Sequence, residues 1–320
     1  SELSEVIKDR QTKVNFLLGS NLTNEDYVAF REFSKTISQS ESSFYLNDDL
    51  LYKGFFGDNI ELAKIDDLNS SDAIVVWAED LKEKLPVLYL RIRQAVKNGV
   101  KLIVFGHTNE TLSDIADVFY GKDMVSENFE ILKDLSKIKE INNLVVGKNI
   151  TAILGKSTPY QADESITKLF EFLNSNANSK VLNAYSKGNT YGAFQTLENL
   201  KGLNDFVNDI SKDNTDLLFV VGADPIGRSV YSNQIKSIIK SIDTVVTLDN
   251  FNHETSELSD YVVPISSTLG EKEGTFTNIE FRTSRIEKLV PSPGQTVSDW
   301  EFITSLMNFA GLKAEANSLE

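Results

Sequence analysis

Residues 250–278 read N-F-N-H-E-T-S-E-L-S-D-Y-V-V-P-I-S-S-T-L-G-E-K-E-G-T-F-T-N, and this stretch decides the fold. A short acidic helix is predicted over residues 253–259, followed by a β-rich run, Tyr261-Val262-Val263-Pro264. A turn then carries Gly270, Glu271, Lys272, Glu273, Gly274, Thr275 and Asn278. Two readings of that turn stand side by side. In one, Gly270 and Gly274 take strained dihedrals in a reverse turn while Thr275 and Asn278 bond nearby backbone. In the other, the loop is a polar wall that faces a ligand.

Outward from this stretch, β-rich runs alternate with helical segments, as in a parallel sheet covered by helices. Val14-Asn15-Phe16-Leu17-Leu18 ends at Gly19, and a helix capped by Thr23 carries Tyr27, Phe30 and Phe33 on one face. Ala73–Trp77 is a second strand. The helix after it starts at Pro86, buries Leu85, Leu88, Ile92 and Val96, and stops at Gly99. Leu102–Gly106 and Ile150–Gly155 are further strands, the latter followed by a helix with Ile166, Leu169, Phe170 and Leu173 inward. Leu217-Leu218-Phe219-Val220-Val221-Gly222 is almost wholly apolar, as the centre of a parallel sheet requires. A helix over residues 229–242, a strand over residues 244–249 and a last helix with Trp300, Ile303, Leu306 and Phe309 complete the pattern.

The chain of 320 residues has ample length for a buried core, and its 41% apolar and 25% charged composition is that of an ordinary globular protein. A formal net charge of −15 argues against phosphate-backbone binding, so no nucleic-acid partner is expected. The absence of cysteine excludes disulfides, thiolate catalysis and cysteine-held iron–sulfur clusters on these residues. The two histidines, His107 and His253, are far apart in sequence, and no metal site is expected. No apolar run approaches the ~20 residues of a membrane helix, so no direct membrane insertion is expected. The sequence starts without Met, which suggests a processed or fragmentary chain.

Gly222-Ala223-Asp224-Pro225 stands at the end of its strand, where open α/β sheets bind ligands. Gly222 would let backbone approach a phosphate, and the same residues also make an ordinary strand-to-helix turn. Glu271 and Glu273 could divide acid and base roles, but no histidine or metal set accompanies them. His253, Glu254, Glu257 and Asp260 match no usual metal signature and read as a polar helix face.

The order T-x-x-x-x-D-x-V-x-P followed by E-x-E-G-T-x-x-N closely resembles the molybdopterin oxidoreductase family. Val14–Gly19 with Leu22-Thr23-Asn24-Glu25-Asp26-Tyr27 is similar to that family's strand and N-E-x-x-Y helix, and Gly222–Pro225 to its G-x-N-P or G-x-D-P turn. Ser186-Lys187-Gly188-Asn189-Thr190-Tyr191-Gly192-Ala193 resembles its S-N-x-x-G-A turn, with Thr190 inserted. Within the family, the segment Asp80–Arg93, with its P-x-x-x-L-R-x-R, looks most like the large iron–sulfur subunit of respiratory NADH:quinone oxidoreductase (complex I). There the fold is kept and the pterin is lost. Departures from the enzymes point the same way. Ala78-Glu79-Asp80 replaces G-x-N-P, Gly106-His107-Thr108 replaces D-P-R, and Gly121-Lys122-Asp123 replaces P-G-x-D.

The resemblance implies a doubly wound α/β fold with one α/β domain inserted in another. The first domain spans residues 1–45 and 146–290, the inserted one 46–145, and a terminal helix and tail 291–320. It further implies a non-catalytic scaffold in the cluster-free, carboxyl-terminal part of the complex I subunit, supporting electron transfer from NADH to quinone. The partners would be the cluster-bearing portion of the same subunit and other peripheral-arm subunits, on the cytoplasmic side of the inner membrane. No cofactor is expected on these residues; iron–sulfur clusters would sit on a preceding portion. Gly222, Asp224, Glu273, Gly274, Thr275 and Asn278 are the residues of a degenerate cofactor pocket. Two alternatives stand: part of a catalytic molybdopterin oxidoreductase of formate dehydrogenase or nitrate reductase type, and a free-standing small-molecule-binding α/β protein.

Overall fold

The computed structural model describes residues 2–8, 12–37, 42–48, 61–77, 81–106, 111–121, 139–155, 171–175, 177–227 and 229–312. In chain order the elements begin α1 (Glu2–Lys8), β1 (Val14–Leu18), α2 (Asn24–Ile37), β2 (Phe44–Leu46), β3 (Glu61–Leu62) and β4 (Ala73–Trp77). Then come α3 (Leu81–Lys84), α4 (Pro86–Lys97), β5 (Lys101–Gly106), β6 (Val118–Gly121), α5 (Lys139–Val145), β7 (Asn149–Leu154) and β8 (Asn178–Asn183). The last part holds α6 (Thr190–Thr196), α7 (Leu203–Asp209), β9 (Leu217–Val221), α8 (Ser232–Ser241), β10 (Thr244–Asp249) and α9 (Glu254–Glu257). It closes with β11 (Tyr261–Pro264), β12 (Gly274–Thr277), β13 (Thr283–Ile286) and α10 (Asp299–Phe309).

Two compact units result, Ser1–Leu50 with Lys187–Glu320, and Leu51–Ser186. The first is built on a five-stranded sheet of order β11-β10-β9-β1-β2, every neighbouring pair parallel. Side chains alternate between its faces, as the strand period of two requires. On one face, Phe16 stacks on Phe44 and Phe219 at centroid distances of 5.0 and 5.4 Å, and Phe30 and Phe33 of α2 meet it edge-on. Ile303, Leu306 and Met307 of α10 close the same core. On the other face, Leu17, Leu218 and Val220 pack under Phe206 of α7 and Ile235 and Ile239 of α8. Burial on both faces explains why β9 is a continuous apolar run and β1 is one apart from Asn15. A small antiparallel pair, β12 with β13, starts at Gly274, which pairs with Ile286.

The second unit holds a six-stranded parallel sheet of order β3-β8-β7-β4-β5-β6. This corrects the expected domain boundary. The sequence reading returned the chain to the first domain at residue 146, but β7 pairs with β4 from Ala73↔Ile150 to Trp77↔Leu154, and β8 pairs with β7. Residues 146–186 therefore belong with the inserted unit. An apolar run such as Ile150–Leu154 suits the centre of either sheet, so its hydropathy could not say which. The expected helix around Ile166–Phe170 lies outside the described residues. Gly155 follows a strand of this second sheet, whereas Gly19 and Gly222 follow strands of the first.

Candidate functional site

In the five-stranded sheet the order turns at β1 and β9: the chain leaves β1 for β2 on one side and returns to β9 on the other. The carboxyl ends of those two strands flank the switch point at which α/β sheets open a crevice. The Gly19 amide donates to the Val221 carbonyl at 2.7 Å. A Cβ on Gly19 would overlap the Gly222 carbonyl oxygen, so the two strand ends approach as closely as backbone allows. Gly222 has φ +57 and is exposed, with Leu22 Cδ2 2.9 Å from where its Cβ would be. The left-handed conformation is what glycine supplies there.

Asp224 is half-buried. Its Oδ1 accepts from the Thr255 hydroxyl at 3.0 Å and from the Gly227 amide at 3.1 Å. His253 lies between two carboxylates, with Nδ1 3.4 Å from Asp224 Oδ1 and Nε2 3.2 Å from Asp249 Oδ2. His253 caps α9, its amide donating to Ser256 Oγ at 2.9 Å, and Asp260 accepts the Val245 amide at 2.8 Å. No group of three or more His, Cys, Asp or Glu suited to a metal ion occurs among the described residues.

The Gly274 loop is fastened by its polar residues. Glu25 accepts both the amide and the hydroxyl of Thr275 at 2.8 Å, and Asn24 donates to the hydroxyls of Thr275 and Thr277 at 3.0 and 3.2 Å. Asn189, fully buried, accepts the Thr277 amide at 2.7 Å and donates to the Leu22 carbonyl at 2.7 Å and to Asn24 at 2.9 Å. Asn278 Oδ1 takes the Glu280 and Arg282 amides, and Phe281 beyond it holds φ 59 with its ring 4.2 Å from that of Tyr191. Gly270 has the expected positive φ, +98, but Gly274 does not. The need for glycine at 274 is steric: a Cβ would stand 2.7 Å from both Thr23 Cγ2 and Glu25 Oε2. Glu271 accepts the Ser267 amide, whereas exposed Glu273 pairs with Arg285, so the two carboxylates have separate partners.

Lys272, read in the sequence only as a turn residue, is buried with Asp26 of α2 and Asp299 of α10. Its ammonium lies 2.6 Å from Asp26 and also bonds Asp299. Burial alone would lower the Lys272 pKa, but the charges of Asp299 and Asp26 outweigh it and hold it up at about 12. Burial, then the Asp26 charge, pushes the Asp299 carboxyl up to about 7 against the pull of Lys272. The legible part of this cluster is T-x-x-D at the start of α2. The Thr23 hydroxyl accepts the Asp26 amide at 3.2 Å, and Asp26 accepts the Thr23 amide and hydroxyl at 2.9 and 2.7 Å.

Two hydroxyls were given no role by the sequence, Thr190 entering it only as an insertion in a turn and Ser20 not at all. Ser20 Oγ and Thr190 Oγ1 are buried and have no hydrogen-bond partner among the described residues. They belong to adjoining segments at the end of β1, since the Asn189 amide donates to the Ser20 carbonyl at 2.9 Å. Buried hydroxyls of this kind are uncommon and fit a site that receives hydrogen-bonding groups from a ligand.

The family model for molybdopterin oxidoreductases matches residues 1–309. The alpha subunit of an F420-dependent formate dehydrogenase from Methanocaldococcus jannaschii is 21% identical over an alignment covering 97% of this chain and 58% of that protein. A second such alpha subunit, from Methanococcus maripaludis, is 33% identical over 39% of this chain and 20% of its own length. The assimilatory nitrate reductase catalytic subunit of Bacillus subtilis is 35% identical over 29% of this chain and 13% of its own. The chain thus spans little more than half the length even of the relative it matches almost throughout. Among solved structures, the formyltransferase/hydrolase complex of Methylorubrum extorquens is similar with a TM-score of 0.64, 11% identity, and coverage of 97% of this chain and 94% of that one. Acetylene hydratase from Pelobacter acetylenicus gives 0.58 at 13% identity, covering 97% and 57%. Both show the fold.

These relatives overturn the expectation of a non-catalytic complex I scaffold, because they are formate dehydrogenase and nitrate reductase subunits. The physical reason is visible in α4. Its P-x-x-x-L-R-x-R has Pro86 at the first helical position, where a missing amide costs nothing, and Leu88 and Ile92 inward. Any amphipathic helix with that start can show the pattern. No described helix is long and apolar enough to cross a membrane.

Proposed function

The chain belongs to the molybdopterin oxidoreductase family, and on that footing we propose that it is part of an oxidoreductase of formate dehydrogenase or nitrate reductase type. The likeness to a formate dehydrogenase alpha subunit along 97% of its length supports this best. The residues at the β1 and β9 ends fit a polar cofactor on one observation, the buried hydroxyls of Ser20 and Thr190, which have no partner among the described residues. Those two would hydrogen-bond it, exposed Gly222 would let backbone come close, and Asp224 would receive N–H donors. Asp224 is a carboxylate already oriented by Thr255 and Gly227, so it suits a donor edge better than a phosphate. When bound, a molybdopterin supplies the metal and the two-electron redox chemistry.

In this reading Glu25, Asn24 and Asn189 do not touch the cofactor. They keep the Gly274 loop and the Gly188–Tyr191 turn in place, so that the hydroxyls stand where a ligand can use them. The sequence departures at Ala78–Asp80 and Gly106–Thr108 lie mostly outside the described residues. The test is made on the complete natural protein. Stoichiometric molybdenum or tungsten, with formate oxidation or nitrate reduction measured on redox dyes, is the expected result. Metal-free protein inactive on both substrates, after expression with an intact cofactor pathway, would overturn the reading.

A further inference from the structure

One ammonium and two carboxylates, all but inaccessible to solvent, carry one negative charge too many unless a proton stays with them. An uncompensated charge is costly where water cannot reach it. The three groups come from three separated pieces of chain: Asp26 from α2, Asp299 from α10, and Lys272 from the turn before β12. Lys272 therefore ties the Gly274 loop to α2 and α10 together, beside the bonds of Glu25 and Asn24 to Thr275. Asp26 Oδ1 and Asp299 Oδ1 have no hydrogen-bond partner among the described residues, and the Thr23 amide and hydroxyl that donate to the other oxygen of Asp26 are neutral, so Lys272 is the only cation bonded to the pair there.

We infer that Lys272, Asp26 and Asp299 form a proton-linked clamp, which holds the Gly274 loop tightest while the cluster keeps one extra proton and loosens when that proton leaves. Upward displacement of Asp299 to about 7 puts the release in the neutral range. Its sign follows from linkage. A carboxyl with a raised folded-state pKa favours the folded clamp most below its ordinary value of 3.8, and that contribution falls as pH rises toward about 7. Lys272, held at about 12, keeps its charge throughout this window.

Other ionisable groups on the packed elements are accounted for. On α2, Tyr27 donates to the Gly19 carbonyl at 2.8 Å, and burial followed by the Asp26 charge moves its phenol further above neutrality. Glu25 is tied to Thr275, and Arg31, Glu32 and Lys35 pair among themselves further along the helix. On the loop, Glu271 holds the Ser267 amide and Glu273 pairs with Arg285. On α10, Glu301 caps the Ser298 amide. His253 is the described side chain whose type ordinarily titrates near neutrality.

The test is hydrogen exchange on peptides covering residues 268–278 of the full chain between pH 5 and 7, below the raised value of Asp299, corrected for intrinsic exchange. Loss of one linked proton is expected to reduce protection by up to roughly ten-fold per pH unit. Asp299→Asn should abolish that dependence, and His253→Gln should leave it intact. An unchanged slope in Asp299→Asn, or its loss in His253→Gln, would overturn the clamp. If Asp299→Asn does not fold, carbon-13 carboxyl spectra of the unaltered protein decide. An aspartate titrating near neutrality is expected, and none doing so is the contrary result.

Discussion

The Gly274 loop and the Gly222 turn look alike in sequence, each a glycine beside acidic and small polar residues at a strand boundary, and they are built oppositely. Around Gly274 the space is full: Thr275 and Thr277 are held by Glu25, Asn24 and Asn189, and a Cβ would strike Thr23. Around Gly222 the backbone is exposed, while Ser20 and Thr190 in the neighbouring segments keep hydroxyls without partners among the described residues. A motif rich in hydrogen-bonding residues is therefore not by that fact a ligand site. The polar groups that the protein leaves unused are the better guide.

Substitutions can break this comparison, and Gly19→Val should do so most severely. Its Cβ would overlap the Gly222 carbonyl, backbone against backbone, so the cost is expected at or above the upper end of ~1–3 kcal/mol for overpacking. Soluble yield and thermal unfolding measure it, and a melting temperature like that of the parent would show that the strand ends are not in close contact. Next comes Asn189→Ala. It strips partners from the Thr277 amide, the Leu22 carbonyl and Asn24, each orphaned group being worth about 1–3 kcal/mol with incomplete additivity. Denaturant unfolding is expected to show a loss of about 3 kcal/mol, and one below about 1 kcal/mol would mean that Asn189 is not the hub of the loop.

A finer cut comes from Gly274→Ala, expected to cost about 1–2 kcal/mol by crowding Thr23 and Glu25. Thr23→Ser removes the methyl in the way, so the double variant should lose at least ~0.5 kcal/mol less than the sum of the single ones. Strict additivity would place the crowding elsewhere. Smallest in stability is Asp224→Asn, expected to change unfolding by less than about 1 kcal/mol, because the group is half-buried and keeps its shape. If the Gly222 turn is the open one, the same variant should lower metal retention of the complete protein during dialysis. Equal retention would sharpen the contrast against Asp224.

The parallel doubly wound architecture was legible because burial on both faces forces runs such as Leu217–Val221, and helices must cover such a sheet. The starts of α2 and α4 were legible too, through Thr23 and Pro86, whose effects are local. Harder to see was the site. Asn189 and Lys272 look like ordinary turn residues until strands distant in sequence bring their partners to them.

By itself, then, the sequence determined what depends on neighbours along the chain: strand and helix identity, caps, the glycine of positive φ at 270 and the family to which the whole belongs. Only the tertiary structure decided which sheet Ile150–Leu154 joins, since hydrogen-bond pairing with β4 leaves no trace in an apolar run. It also decided that Glu25 and Thr275, 250 residues apart, consume each other's polar groups while the Ser20 and Thr190 hydroxyls find no partner among the described residues. Burial and hydrogen-bond satisfaction are properties of three-dimensional neighbourhoods, and residue order fixes them only through the completed fold.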